Sequence, residues 1–104
     1  MAIPVAGLLL DGCVLSYIAR EDTYGYNLTQ RVKETLEVSE STLYPVMRRL
    51  QTDDCLTAYD RPHNGRNRRY YQITELGFAR LRACVSEWRV FKVKIDNILC
   101  EVGS

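Results

Sequence analysis

Apolar residues along the first half of the chain recur at intervals of three and four. Leu9, Leu10, Cys13, Val14, Tyr17 and Ile18 form such a series and predict a first amphipathic helix over 5–19. The polar stretch REDTYGY (20–26) breaks it. A second helix follows, with Leu28, Val32 and Leu36 on one face and Gln30, Arg31, Lys33 and Glu34 around it. EVSES then supplies helix-starting residues, of which Ser39 or Ser41 can cap. The third helix buries Leu43, Val46, Met47 and Leu50 and ends near Asp53–Asp54. Pro45 lacks an N–H and its ring crowds the carbonyl four residues back, so it must lie within or just after the first turn. Distortion is expected around Ser41–Thr42, and an irregular helix start with exposed N–H groups can receive a phosphate.

Beyond Asp54 the period falls to two. LTAYDR (56–61) and RRYYQI (68–73) read as strands, joined by PHNGRN into a hairpin with an extended tip of about six residues. Thr74 opens a last helix, with Glu75 in its first turn where an acid suits the helix dipole. With no proline from 75 to 102, this helix can reach about 40 Å. Leu81, Cys84, Val85, Trp88, Phe91, Ile95, Ile98 and Leu99 line it as one apolar stripe. The residues before it make too small a body to cover that stripe, and soluble monomers rarely leave such patches open. A two-fold dimer is the simplest solution, with Leu81, Val85, Trp88, Phe91, Ile95, Ile98 and Leu99 at the interface. The chain thus divides into residues 1–74 and a dimerisation helix over 75–104.

Net charge is only +1 over 104 residues, so the molecule as a whole makes no electrostatic statement. Its distribution does. Arg61, Arg66, Arg68 and Arg69 lie within eleven residues of one another with His63 and no acid, whereas acids gather at Glu34, Glu37, Glu40 and Asp53–Asp54. One basic edge on a neutral chain focuses the field at one place. Cys13, Cys55, Cys84 and Cys100 show no CxxC spacing, and His63 is the only histidine. This argues against a metal site, a cofactor or Cys–His catalysis, and makes an enzyme the weakest reading. Each cysteine reads first as a small buried hydrophobe. The start, MAIPVAGLLLD, lacks a basic n-region, and its apolar run stops at Asp11, too soon to span a membrane. A cytoplasmic protein with reduced thiols is expected.

Helix, helix, helix, hairpin, helix is the order of a winged helix-turn-helix domain, an α+β fold that is mostly α. On the third helix, Ser41, Tyr44 and Arg48 share the face opposite the buried stripe, flanked by Thr42 and Arg49, with Ser39 at its start. Hydroxyls and guanidinium groups of this kind donate to phosphates or base edges, although caps and solvated arginines would look the same. On the hairpin, strand alternation sets Arg69 and Tyr71 on one face and Arg68 and Tyr70 on the other. At least one tyrosine then packs inward, and one of Arg68 and Arg69 lies over the body. Arg66 is the strongest candidate for a DNA contact.

YGYNL (24–28), STLYPVMRRL (41–50), GRNRRYYQITELG (65–77) and a tryptophan in the last helix together resemble the PadR family of transcriptional regulators, in its short form with a single C-terminal helix. The resemblance runs over roughly 8–99. It implies a dimeric winged-helix repressor of double-stranded DNA, with Ser41, Thr42 and Tyr44 at the DNA-facing start of the recognition helix and Gly65, Arg66 and Arg68 on the wing. Many members respond to small aromatic compounds. By the same likeness, Trp88, beside Phe91, would stack on a small planar aromatic ligand, or else fill the dimer core. The expected mechanism is release from a palindromic operator on ligand binding. Departures are Asp54, where the family usually has glycine, and Asn67, in place of a common wing proline that would stiffen the tip. Two other functions fit the same residues: a winged helix that meets an acidic protein partner, and a redox-sensing regulator using Cys55 or Cys100.

Overall fold

A computed structural model describes residues 4–103. The apolar stripes find one another as their spacing requires. Helix α1 (Pro4–Arg20) contributes Val14, Leu15 and Ile18 to the core, α2 (Gly25–Leu36) contributes Leu28 and Val32, and α3 (Glu40–Thr52) contributes Leu43, Val46, Met47 and Leu50. Cys55 and Leu56, at the start of the hairpin, complete it. Burial of each of the larger side chains is worth about 1.5–3 kcal/mol relative to exposure. Leu36, expected on the buried face of α2, is exposed because it is the last residue of its helix, beyond the core.

Helix α3 continues through Pro45 without a break. The amides of Thr42 and Leu43 both donate to the Ser39 carbonyl (3.1 and 3.2 Å), so the first turn is tightened where distortion was expected. Ser39 holds the N-cap position without a side-chain capping bond; its hydroxyl is shared with those of Ser41 (2.9 Å) and Thr42 (3.0 Å) instead. At the other end, the Cys55 amide donates to Leu50 and that of Asp54 to Gln51, with Asp54 at φ 60°. This is a Schellman stop, in which a left-handed residue lets two amides satisfy the last carbonyls. Asp54 occupies the site at some cost, as a short polar side chain can.

Strands β1 (Thr23–Tyr24), β2 (Leu56–His63) and β3 (Arg66–Ile73) form an antiparallel sheet in the order β1-β3-β2. Two features differ from the sequence reading. Strand β1 was not foreseen, since two residues carry no periodicity. The hairpin tip is also not extended: Asn64 and Gly65, at φ 52° and 79°, make a two-residue turn of the type that matches strand twist. Pro62 joins the ladder opposite Asn67. The adjacent pair, His63 and Arg66, closes the turn as a hydrogen-bonded pair, so Pro62 falls in a non-bonded pair, on the outer strand, where its missing N–H is harmless. Asn67 takes its place in the ladder, with Pro62 as its partner.

Helix α4 (Glu75–Gly103) is anchored at its root. The Thr74 amide donates to the Cys55 carbonyl (3.1 Å), the Thr74 hydroxyl donates to the Asp54 carbonyl (2.6 Å), and the Gly77 amide donates to that hydroxyl (3.0 Å). The early turns pack along α1 and bury Cys84. Beyond them Val85 and Trp88 (38 % exposed) lead to Ile98 and Leu99, at 64 % and 66 %. Phe91 and Ile95 are half-buried.

Candidate nucleic-acid interface

On α3, Ser39, Ser41, Thr42, Tyr44 and Arg48 are all exposed, Tyr44 at 44 %. Glu40, the acid among them, accepts a hydrogen bond from Gln30 on α2 (3.1 Å), which fixes the two helices of the helix-turn-helix together. Arg49 departs from the expected face. One residue is a rotation of about 100° on a helix, and it turns Arg49 toward α1, where it pairs with Asp11. Arg80 of α4 lies 4.0 Å from the same carboxylate and bonds Asp53 at 2.9 Å. The side chain of Asp11 is only 15 % exposed, so its charge requires these partners. Arg49 is thus engaged within the protein although its side chain stays half exposed.

The sheet divides the hairpin residues by face. Tyr71 and Ile73 pack against the core. The register then sets Tyr59, Arg61 and His63 of β2 on the opposite face with Arg66, Arg68 and Tyr70 of β3, and Tyr24 beside Tyr70. Arg66 is exposed next to the turn, and Gly65 supplies the turn's positive φ rather than a side chain. Arg68 is half-buried, its guanidinium 4.5 Å from the centre of the Tyr24 ring, so it is the arginine that lies over the body. Arg69 is exposed on the other face, opposite Asp60. Tyr59 was not singled out from sequence, and Arg61 and Tyr24 were noted only for the basic edge and the YGYNL motif; with an Asn-Gly turn assumed, counting back would have paired Tyr59 with Tyr70 and Arg61 with Arg68. The Tyr59 hydroxyl donates to Asp22 (2.6 Å), which holds its proton on and raises its pKa above the ordinary tyrosine value.

A groove of about 240 Å³ runs between α1 and α4, lined among others by Leu9, Cys13, Tyr17, Leu81 and Trp88. Arg20 forms part of its wall, stacked 5.4 Å from the Tyr17 ring. No basic group was legible near Trp88 in the sequence, because α1 and α4 meet only in the fold. Phe91 lies 6.4 Å from Trp88 between ring centres but lines a separate hollow with Val90 and Lys94. Burial pushes the thiols of Cys13 and Cys84 up, away from the reactive thiolate. Among the described residues no cluster of three metal-ligating side chains occurs, and no helix is long and apolar enough to cross a membrane.

Three helices, a tight β-wing and an anchored long helix define a winged helix-turn-helix protein. Residues 14–83 match the model of the transcriptional regulator PadR-like family. Solved structures agree. A Streptococcus mutans protein superposes with a TM-score of 0.84 at 37 % identity, covering 95 % of this chain and 93 % of its own. A PadR-like transcriptional regulator from Bacillus cereus gives 0.79 at 30 %, covering 88 % and 91 %. A transcriptional regulator of Mycobacterium tuberculosis is 38 % identical over 69 residues, 65 % of this chain and 64 % of that one. The chain belongs to the PadR-like family of transcriptional regulators, whose members are not enzymes.

Proposed function

We propose that this regulator is a homodimeric repressor that holds duplex DNA with the start of α3 and the wing, and that a planar aromatic ligand releases it. The observation carrying the DNA reading is the chemistry left exposed: Ser41, Thr42, Tyr44 and Arg48 on α3, and Arg66 on a wing face without an acid. Such groups donate to phosphates and base edges. Arg49, engaged by Asp11, is left out of this grip. In this reading residues 1–74 hold DNA and residues 75–104 hold the second copy.

The exposed apolar side chains along α4, from Val85 and Trp88 to Ile98 and Leu99, support pairing with a second copy of the chain. Two α3 helices related by a two-fold axis would enter successive major grooves of a palindromic operator, about 34 Å apart. The groove beside Trp88 supports a flat ligand, and Arg20 offers a partner for an acidic group on it. Ligand between α1 and α4 would change the angle of α4 and so the separation of the two α3 helices. Of the two cysteines in the redox reading, Cys55 is buried, which gives a switch there less support, while Cys100 is exposed and keeps that reading open to a comparison of DNA affinity with and without oxidant.

Fluorescence anisotropy on the duplex upstream of the chain's own coding region tests the DNA reading. Affinity should fall with added salt, and Arg66→Ala should weaken binding and flatten the salt slope by about one unit. Binding indifferent to salt and to this substitution would sink the reading. Absence of duplex binding together with co-purification of an acidic protein would instead favour an assembly role for the basic face.

A further inference from the structure

Arg61 and Arg68 stand directly opposite one another across β2 and β3. Like charges in that arrangement repel. No acid stands among the paired strand residues of their sheet face: Asp60 lies on the other one, and Asp22, which precedes β1, bonds the Tyr59 hydroxyl. Among the described residues, ion pairs involve only Arg49 and Arg80 of the arginines, so neither wing guanidinium has an internal counter-charge.

Both side chains are nonetheless held in place. Arg61 lies 5.3 Å from the centre of the Tyr70 ring and Arg68 lies 4.5 Å from that of Tyr24. These distances fall within the range of about 6 Å over which a ring face attracts a cation. The rings are themselves braced. Tyr70 stacks on Tyr59 (5.8 Å, 21°) and tilts against Tyr24 (5.6 Å), and Tyr59 is tied to Asp22. Tyr24 is also the N-cap residue of α2, so this tray of tyrosines has a fixed relation to the helix-turn-helix. A guanidinium resting on a ring keeps its in-plane N–H donors free, and ordering it beforehand lowers the cost of binding.

We propose that Arg61 and Arg68 form a phosphate clamp, with Tyr70 and Tyr24 as its positioning residues, and that the occupant is a phosphate of the DNA backbone. Two ring-stacked guanidinium groups without an ion-pair partner among the described residues match a phosphate oxygen pair, which such forks bind bidentately. Arg66 projects from the same face two residues from Arg68, so the clamp continues the wing's contact with DNA. The assignment rests on the DNA-binding reading above. It adds Arg61, and it gives Arg68 a partner although that side chain is half-buried over Tyr24.

Anisotropy titrations of the full chain over a series of KCl concentrations test it. Arg61→Gln should weaken binding about three- to tenfold and lower the salt slope by about one unit, equally on the specific duplex and on an unrelated one. Tyr70→Phe should behave as wild type, while Tyr70→Leu should weaken binding in the same direction as Arg61→Gln. The double variant Arg61→Gln/Tyr70→Leu should then be no weaker than Arg61→Gln alone, since the ring acts through the arginine. Thermal denaturation establishes that each variant is folded. Salt-dependent binding by wild type that Arg61→Gln leaves unchanged overturns the clamp alone. Loss confined to the specific duplex with an unchanged slope also overturns it, because a base contact would then be responsible. Failure of wild type to bind any duplex at low salt overturns the DNA reading itself.

Discussion

Gly77 presses on the carbonyl of Cys55 so closely that a β-carbon at position 77 would lie 2.2 Å from that oxygen and 2.6 Å from Ile73. The obstacle is backbone, held by the Thr74 latch, and cannot swing aside as a side chain would. Gly77→Ala should destabilise the fold by about 2–4 kcal/mol, although alanine favours helices, because overpacking against a fixed group outweighs propensity. Urea denaturation measures this; a neutral or stabilising result would show that the root of α4 is loose.

Asp54 holds the left-handed position of the α3 stop at φ 60°. Asp54→Gly should stabilise the protein by about 0.5–1 kcal/mol, the relief of β-carbon strain exceeding the entropy cost. The hydrogen bond from Thr74 goes to the backbone carbonyl and survives the change. Loss of stability in a denaturation curve would refute the assignment.

Tyr59 should titrate above its ordinary value of 10.0, as followed by tyrosinate absorbance, because Asp22 accepts the proton's hydrogen bond. With the folded pKa raised, the stabilising contribution is complete below pH 10.0 and is lost as pH rises through the raised value. Asp22→Asn should return the titration toward the ordinary range. An unchanged titration in that variant would separate the two residues.

Trp88 fluorescence should be quenched by planar aromatic compounds entering the α1–α4 groove. Arg20→Gln should weaken aromatic carboxylates about three- to tenfold, as loss of one solvent-exposed hydrogen bond worth about 0.5–1.5 kcal/mol implies, while leaving neutral analogues untouched. Equal weakening of both classes would remove Arg20 from recognition. No quenching across a broad panel would return Trp88 to packing.

Ile98→Glu and Leu99→Glu, at exposed sites, should leave the melting of a monomeric domain unaffected yet shift the mass measured by light scattering from dimer toward monomer. Operator affinity should fall with it. Dimer mass retained in the double variant would move the interface elsewhere on α4.

Long-period patterns were legible in the sequence because burial alone enforces them. Leu28, Val32, Leu43, Val46 and Leu50 are spaced for one core and lie in it. What escaped was set by partners remote in the chain. Thr23 and Tyr24 become a strand only because β3 offers an edge, and Arg49 leans toward α1 only because Asp11 waits there. The two-residue turn was readable in Asn64-Gly65, but Pro62 disguised it, since a proline's effect on a ladder depends on which pair it joins. Alternation correctly limited how many wing arginines could face outward together. It carried no information on which ring each would rest upon.

The cluster of Asp11, Arg49, Arg80 and Asp53 touches α1, α3 and α4 at once, and the Thr74 latch closes the same corner. Helix α3 and the root of α4 therefore meet α1 at one shared corner. A ligand that shifted the seat of α4 on α1 would reach α3 through this corner, by exchange of the Asp11 carboxylate between Arg49 and Arg80.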